Sequence, residues 1–117
     1  MYKMIRRSDI KVTVFHQGAD KGEYTRVAVV TVYHNDEKEA CEYAYRWTQN
    51  IHDSWSHPEG VEDKNPNVEI VGELPTRGGK TYGLRSSMMG DRFYVEDGDA
   101  YECAMIGFEA LPMMEDV

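Results

Sequence analysis

Cysteine is scarce in this 117-residue chain, with only Cys41 and Cys103 present. A small secreted scaffold stapled by disulfides needs more, so the fold must rest on burial. In a reducing compartment the two cysteines read as small buried hydrophobes, and nothing in their spacing supports a disulfide. Long apolar runs are missing too. None approaches the roughly 20 residues that a bilayer-spanning helix requires. Lys3, Arg6 and Arg7 lie near the start, but no apolar stretch follows them as an export signal would need, which points to a cytoplasm. Cations are in deficit: 13 Lys and Arg face 21 Asp and Glu, for a formal charge of −8. That balance argues against a general binder of nucleic-acid backbone and against direct nucleic-acid partnership. It suits a protein that repels itself and seeks a basic partner surface.

What is present is a chain long enough for one domain. Ile10, Val12, Val14 and His16 alternate with Lys11, Thr13 and Phe15, which predicts a strand over residues 9–16. Residues 17–22 form a turn by composition. The β-branched run from Val27 to Tyr33 predicts a second strand over 23–33, apolar enough to be central and buried on both faces. Asn35 or Asp36 can cap a helix, and Asp36 with Glu39 has capping-box spacing. The helix is expected over 36–52, burying Ala40, Ala44, Trp47 and Ile51 as one stripe that Tyr43 and Thr48 widen. Glu42, Arg46, Gln49 and Asn50 should face away, with Cys41 on the flank and Trp47 as the largest packing element. A third strand is expected over 68–74, a mobile glycine-rich loop over 76–83, and a closing hairpin over 91–96 and 100–108. Asp97-Gly98 marks the tip of that hairpin, since both central positions of the favoured turn need φ > 0. The order is ββαβββ: one helix packed on a mainly antiparallel sheet, an α+β domain spanning 1–117 with a loose arm at 1–8 and an acidic tail at 112–117.

Several constellations invite chemistry. Arg77-Gly78-Gly79-Lys80-Thr81 ends like a phosphate-binding loop, but Leu74 stands where that motif needs its first glycine, and Tyr82-Gly83 does not open a helix. The plainer reading is a turn with solvated cations. His52, Asp53 and His57 cluster after the helix, and His16 and His34 end neighbouring strands, yet nothing enforces the convergence a zinc site needs. Glu96-Asp97-Gly98-Asp99 lacks the spread of ligands of a calcium loop and reads as a solvated tip. Ser86 and Ser87 have no nucleophile elbow, and the cysteines lack the electropositive setting of a reactive thiolate. No catalytic residue, metal site or cofactor is expected.

Residues 85–111 carry a pattern of their own: Arg85-Ser86-Ser87, Gly90-Asp91, a short strand, a polar turn, Tyr101 and Gly107-Phe108. This resembles a module of small proteins of tailed phages and mobile elements, called YodL-like in the latter setting. The wider sequence, with YAYRWTQNIHDSWS and VEIVGELP, is similar to small uncharacterised actinobacteriophage proteins. Met88-Met89 stands where the module usually carries Ser-Val. The resemblance implies a non-virion accessory protein made in the host cytoplasm, and it carries over no catalytic residues. In plain structural terms Gly90 and Gly107 supply unusual backbone angles, and Asp91 bonds the turn before it.

Seven methionines and a surplus of tyrosine fit an interaction protein. The leading expectation is therefore a non-enzymatic accessory protein that binds and modulates a host protein. Trp55, Tyr82, Arg85, Met88 and Met89, on two loops expected to be exposed and adjacent, form the candidate contact surface. An acidic DNA mimic, and a small nucleotide- or metal-binding enzyme centred on residues 77–87 with His52 and His57, stay open as alternatives. So does a homodimer formed through exposed strand edges.

Overall fold

The computed structural model describes residues 10–19, 22–33, 36–50, 54–56 and 65–112. The arm at 1–8, His34, Asn35, Ile51, the cluster His52, Asp53 and His57, and all of the acidic tail beyond Pro112 lie outside the described residues.

Strands β1 (Ile10–Gln17) and β2 (Tyr24–Val32) form the expected hairpin, the first read from alternation and the second from β-branched density. β3 (Val68–Ile70) flanks β2, and β6 (Arg92–Val95), β7 (Ala100–Cys103) and β8 (Phe108–Ala110) extend the sheet beyond β1. The spatial order is β3-β2-β1-β6-β7-β8, and every neighbouring pair is antiparallel. Between them in sequence lie the helix α1 (Glu37–Arg46) and a separate ribbon of β4 (Thr76–Arg77) and β5 (Lys80–Thr81). This is an α+β fold with one helix on an antiparallel sheet.

One face of the sheet is the core. Val12 and Val14 on β1, Ala28, Val30 and Val32 on β2, Phe93 and Val95 on β6, Tyr101 and Cys103 on β7, and Phe108 on β8 are all buried, and α1 adds Ala40, Cys41 and Ala44. Phe93 and Phe108 meet edge to face at 5.1 Å, with Tyr45 of the helix 6.1 Å from Phe108. Each fully buried side chain of this size contributes about 1.5–3 kcal/mol. β2 is second from the edge, not central, and Val29 and Thr31 on its other face are only half-buried. Its unbroken apolar run has a local cause. A bulge opposite Val14 and Phe15 inserts Val27 as an extra buried residue.

The helix is shorter than its stripe predicts. Asp36 caps it, its carboxylate accepting from the amides of Lys38 at 2.8 Å and Glu39 at 3.3 Å. It ends at Arg46 because the Thr48 hydroxyl donates back to the Ala44 carbonyl at 2.9 Å, while the Thr48 amide tightens the last turn onto Tyr45. The inward line is thus Ala40, Cys41, Ala44 and Thr48. Cys41 is fully buried, not on the flank. Trp47 is the C-cap, half-buried between Tyr43 and the Arg46 guanidinium, which lies 4.9 Å from its ring, and is no core anchor.

The glycine-rich segment is a two-residue hairpin. Gly78 and Gly79 both take positive φ (+60° and +81°), as a primed turn demands, and Thr76 pairs with Thr81. The Asp97-Gly98 tip departs from the same expectation. Only Asp97 is left-handed (φ 62°), and the loop has three residues, closed by Gly98 N–H to Val95 O and Val95 N–H to Asp99 O. Glycine at 98 makes room for a neighbouring side chain. The Glu37 carboxylate lies over it, and any Cβ there would collide with its oxygens. β8 is the other surprise: Ala104 to Gly107 turn the chain so that Phe108 pairs back with Cys103, where one long strand to residue 108 was expected.

Candidate partner-binding site

Residues 82–91 run without helix or strand from the β4–β5 ribbon to β6. Side chains from the helix end and from residues 54–56 fix this segment. The Ser56 hydroxyl accepts from Leu84 N–H at 2.6 Å. Asn50 donates to the Leu84 carbonyl, and its carbonyl oxygen accepts from Trp55 N–H at 2.8 Å. Ser87 N–H donates to Thr48 O at 3.0 Å, and Gln49 donates to Ser87 O at 3.0 Å. Gln49 and Asn50 therefore hold the loop and do not face away from it.

Beneath this loop lies a buried polar centre. The Asp91 carboxylate, wholly shielded from solvent, receives both terminal nitrogens of Arg85 at 2.8 Å. It also accepts from Gln17 N–H at 2.8 Å and from Met88 N–H at 2.7 Å, the bond to the preceding turn expected of it. Burial pushes the Asp91 carboxyl upward, but the Arg85 pair and the two amides outweigh it and hold it below the usual carboxylate range. The bond from Asp91 likewise raises Arg85 above its ordinary value.

His16 completes the centre. Its Nε2 lies 3.0 Å from Ser87 Oγ and 3.8 Å from Asp91 Oδ2. Serine, histidine and aspartate together suggest a nucleophile, but the geometry opposes one. Ser87 Oγ also lies 2.7 Å from the Thr48 hydroxyl, which itself reaches the Ala44 carbonyl, so the serine is tied to the helix end. The carboxylate approaches the same imidazole nitrogen as the serine, whereas an orienting acid belongs on Nδ1. Burial lowers His16 to about 4, with Asp91 opposing the shift and Arg85 adding to it, so the ring is neutral near pH 7.

Burial likewise pushes the Cys41 thiol up to about 12 and raises Cys103, so both are inert free thiols. Among the described residues no group of three or more His, Cys, Asp or Glu could hold a metal ion. No helix among the described residues is long and apolar enough to cross a membrane.

The five candidate contact residues divide. Trp55 is only 7% exposed, donates its indole N–H to the Arg85 carbonyl at 2.9 Å, and stands edge-on to His16. It and Arg85 are brought together, but as a latch on the loop; Trp55 is not the exposed contact its loop position suggests. Tyr82 is exposed beside Arg77 at the foot of the β4–β5 ribbon. Met88 and Met89 are exposed on the turn before Asp91.

That turn abuts β7, since Gly90 N–H donates to Cys103 O at 2.9 Å, and the chain leaves Cys103 directly into the β7–β8 turn. Met105 and Ile106 at that turn are 82% and 88% exposed. One corner of the sheet thus carries four large apolar side chains in solvent. Met105 and Ile106 are absent from the sequence-based set, because a single strand through residue 108 gives them ordinary strand positions. Gly107, at φ +73°, was the available signal that the chain turns there. No known protein family, curated protein or solved structure matches the chain.

Proposed function

We propose that this chain binds another protein and has no chemistry of its own, its contact surface centred on the corner of Met88, Met89, Met105 and Ile106. The observation that carries this reading is the near-complete exposure of Met105 and Ile106 on an ordered turn between two paired strands. Large apolar side chains grouped in solvent mark interaction sites, and methionine adapts to irregular partner surfaces. The polar centre supports it from the other side, because the Asp91 carboxylate is taken up by Arg85 and by the amides of Gln17 and Met88. In the setting that residues 85–111 resemble, the partner is a host protein and the place of action the host cytoplasm.

The DNA-mimic reading draws less support. Lys11 on β1, Arg26 on β2 and Arg92 on β6 lie on the sheet face opposite the helix and interrupt the carboxylates there.

The test is capture from host lysate with wild type and with Met105→Glu/Ile106→Glu. A stoichiometric partner retained by the first and lost by the second, at equal melting temperature, is the expected result. No partner at low or moderate salt would count against the reading.

A further inference from the structure

We propose that the free edge of β8 docks an extended segment of the partner as an added antiparallel strand, with a lysine or arginine opposite Glu109. The proposal rests on the reading that this chain binds a protein, and it names the chemistry of the segment bound.

β8 ends the sheet, with β7 on one side and no described strand on the other. The Gly107 carbonyl accepts from Ala104 N–H, and Leu111 N–H donates to the Ala100 carbonyl, so both point at β7. Backbone groups alternate along a strand. Those of Glu109 therefore also face β7, and the N–H and C=O groups of Phe108 and Ala110 point outward as an open template. Glu109 and Ala110 are exposed.

Charge then selects the occupant. Arg92, Glu102 and Glu109 stand side by side in register across β6, β7 and β8, on the face away from the helix. Arg92 Nε lies 3.4 Å from the Glu102 carboxylate. Glu109 has no cation among the described residues. A strand added at this edge puts its central residue opposite Glu109 in the non-hydrogen-bonded site, where side chains are closest.

A second copy is a poor occupant. Antiparallel β8–β8 pairing centred on this template puts Glu109 against Glu109. The opposite edge, β3, has Glu69 at its centre in register with Val29, so β3–β8 pairing puts Glu69 against Glu109. Like charges directly opposite are unfavourable, as is the charge of −8 on each copy. A cation from another protein completes the row instead. β8 is preferred over β3 because its end runs into the exposed Met105 and Ile106, which give such a segment apolar footing.

The test titrates three peptides against the full chain: Ac-Ser-Thr-Val-Lys-Val-Thr-Ser-amide, its glutamate counterpart, and the lysine peptide N-methylated at both valines. The lysine peptide should bind, with the other two at least tenfold weaker. Glu109→Lys should reverse the charge preference. Ala110→Pro removes an outward N–H and no ladder bond, so it should abolish binding without unfolding the chain. Equal binding of the lysine and glutamate peptides, binding indifferent to Glu109→Lys or Ala110→Pro, no binding at millimolar peptide, or a wild-type dimer crosslinked through β8 would each overturn the proposal. Partner capture lost in Met105→Glu/Ile106→Glu but kept in Ala110→Pro would overturn the strand and leave the protein-binding reading standing. Peptide binding without any host partner would do the reverse.

Discussion

Arg85 and Asp91 jointly satisfy the backbone of Gln17: Asp91 accepts from its N–H at 2.8 Å, and Arg85 donates to its carbonyl at 3.0 Å. Side chains thus take over where the β1–β6 ladder stops at Phe15 and Arg92. Removing the carboxylate leaves the Gln17 and Met88 amides without their buried acceptor and Arg85 without its counter-ion. Asp91→Ala should therefore cost about 3–5 kcal/mol, in the range for breaking a buried pair. Arg85→Ala should cost less, because the Arg85 flank reaches solvent and water can replace it. The double variant should be less destabilised than the sum of the two. Urea unfolding of the three proteins checks this, and strict additivity would mean the pair does not act as a unit.

His16 predicts how stability falls in acid. Its folded pKa of about 4 lies below the ordinary 6.5, so between these values the unfolded chain takes up a proton that the folded chain refuses. Stability should decline as pH drops from about 6.5 to about 4, by of the order of 3 kcal/mol in all. Asp91, depressed in the folded state, adds a further loss only below the usual carboxylate range. His16→Gln should remove the first decline and leave the second. Equal slopes for the two proteins across pH 4–6.5 would show that His16 is not the titrating group.

Alternation and β-branched density made β1, β2 and the single helix readable in advance, because each of those patterns reports burial on one face of a regular element. What escaped depended on contacts distant in sequence. The helix stop at Arg46 comes from Thr48, which turns inward to meet Ser87, a residue 39 positions later. Trp55 looks like a loop aromatic until Arg85 supplies its hydrogen-bond acceptor 30 positions away. His16 belongs to an alternating strand, and nothing local reveals that Asp91 lies beneath the loop to receive it. At the candidate site, Met88 and Met89 were legible as exposed loop residues, whereas Met105 and Ile106 depended on recognising a turn marked only by Gly107.

The division of the five contact candidates is itself measurable. Trp55→Ala should destabilise the chain by about 3–5 kcal/mol through lost packing and an orphaned Arg85 carbonyl. Met89→Ala and Met105→Glu should change stability by less than about 0.5 kcal/mol, as exposed positions do. Partner affinity should respond in the opposite order once the weakened folding of the Trp55 variant is allowed for. A Trp55→Ala protein that melts like wild type would put the indole back among the contact residues.

The hairpin tip and the helix start are coupled through one carboxylate. Glu37 Oε1 accepts from Asp99 N–H at 3.1 Å and from the Tyr101 hydroxyl at 2.9 Å, and the same group covers Gly98. It also sits in the first helical turn, where negative charge is favourable. Burial, together with the Glu37 contact, raises the Tyr101 hydroxyl above its ordinary value, so it stays a donor at any physiological pH. A methyl group at 98 must displace the carboxylate, at the loss of both bonds. Gly98→Ala should then cost about 1–2 kcal/mol. In a Glu37→Ala background the obstruction and the bonds are already gone, and the same substitution should be nearly neutral. A penalty that persists there would trace the need for glycine to the backbone of the turn, which the ordinary φ of Gly98 speaks against.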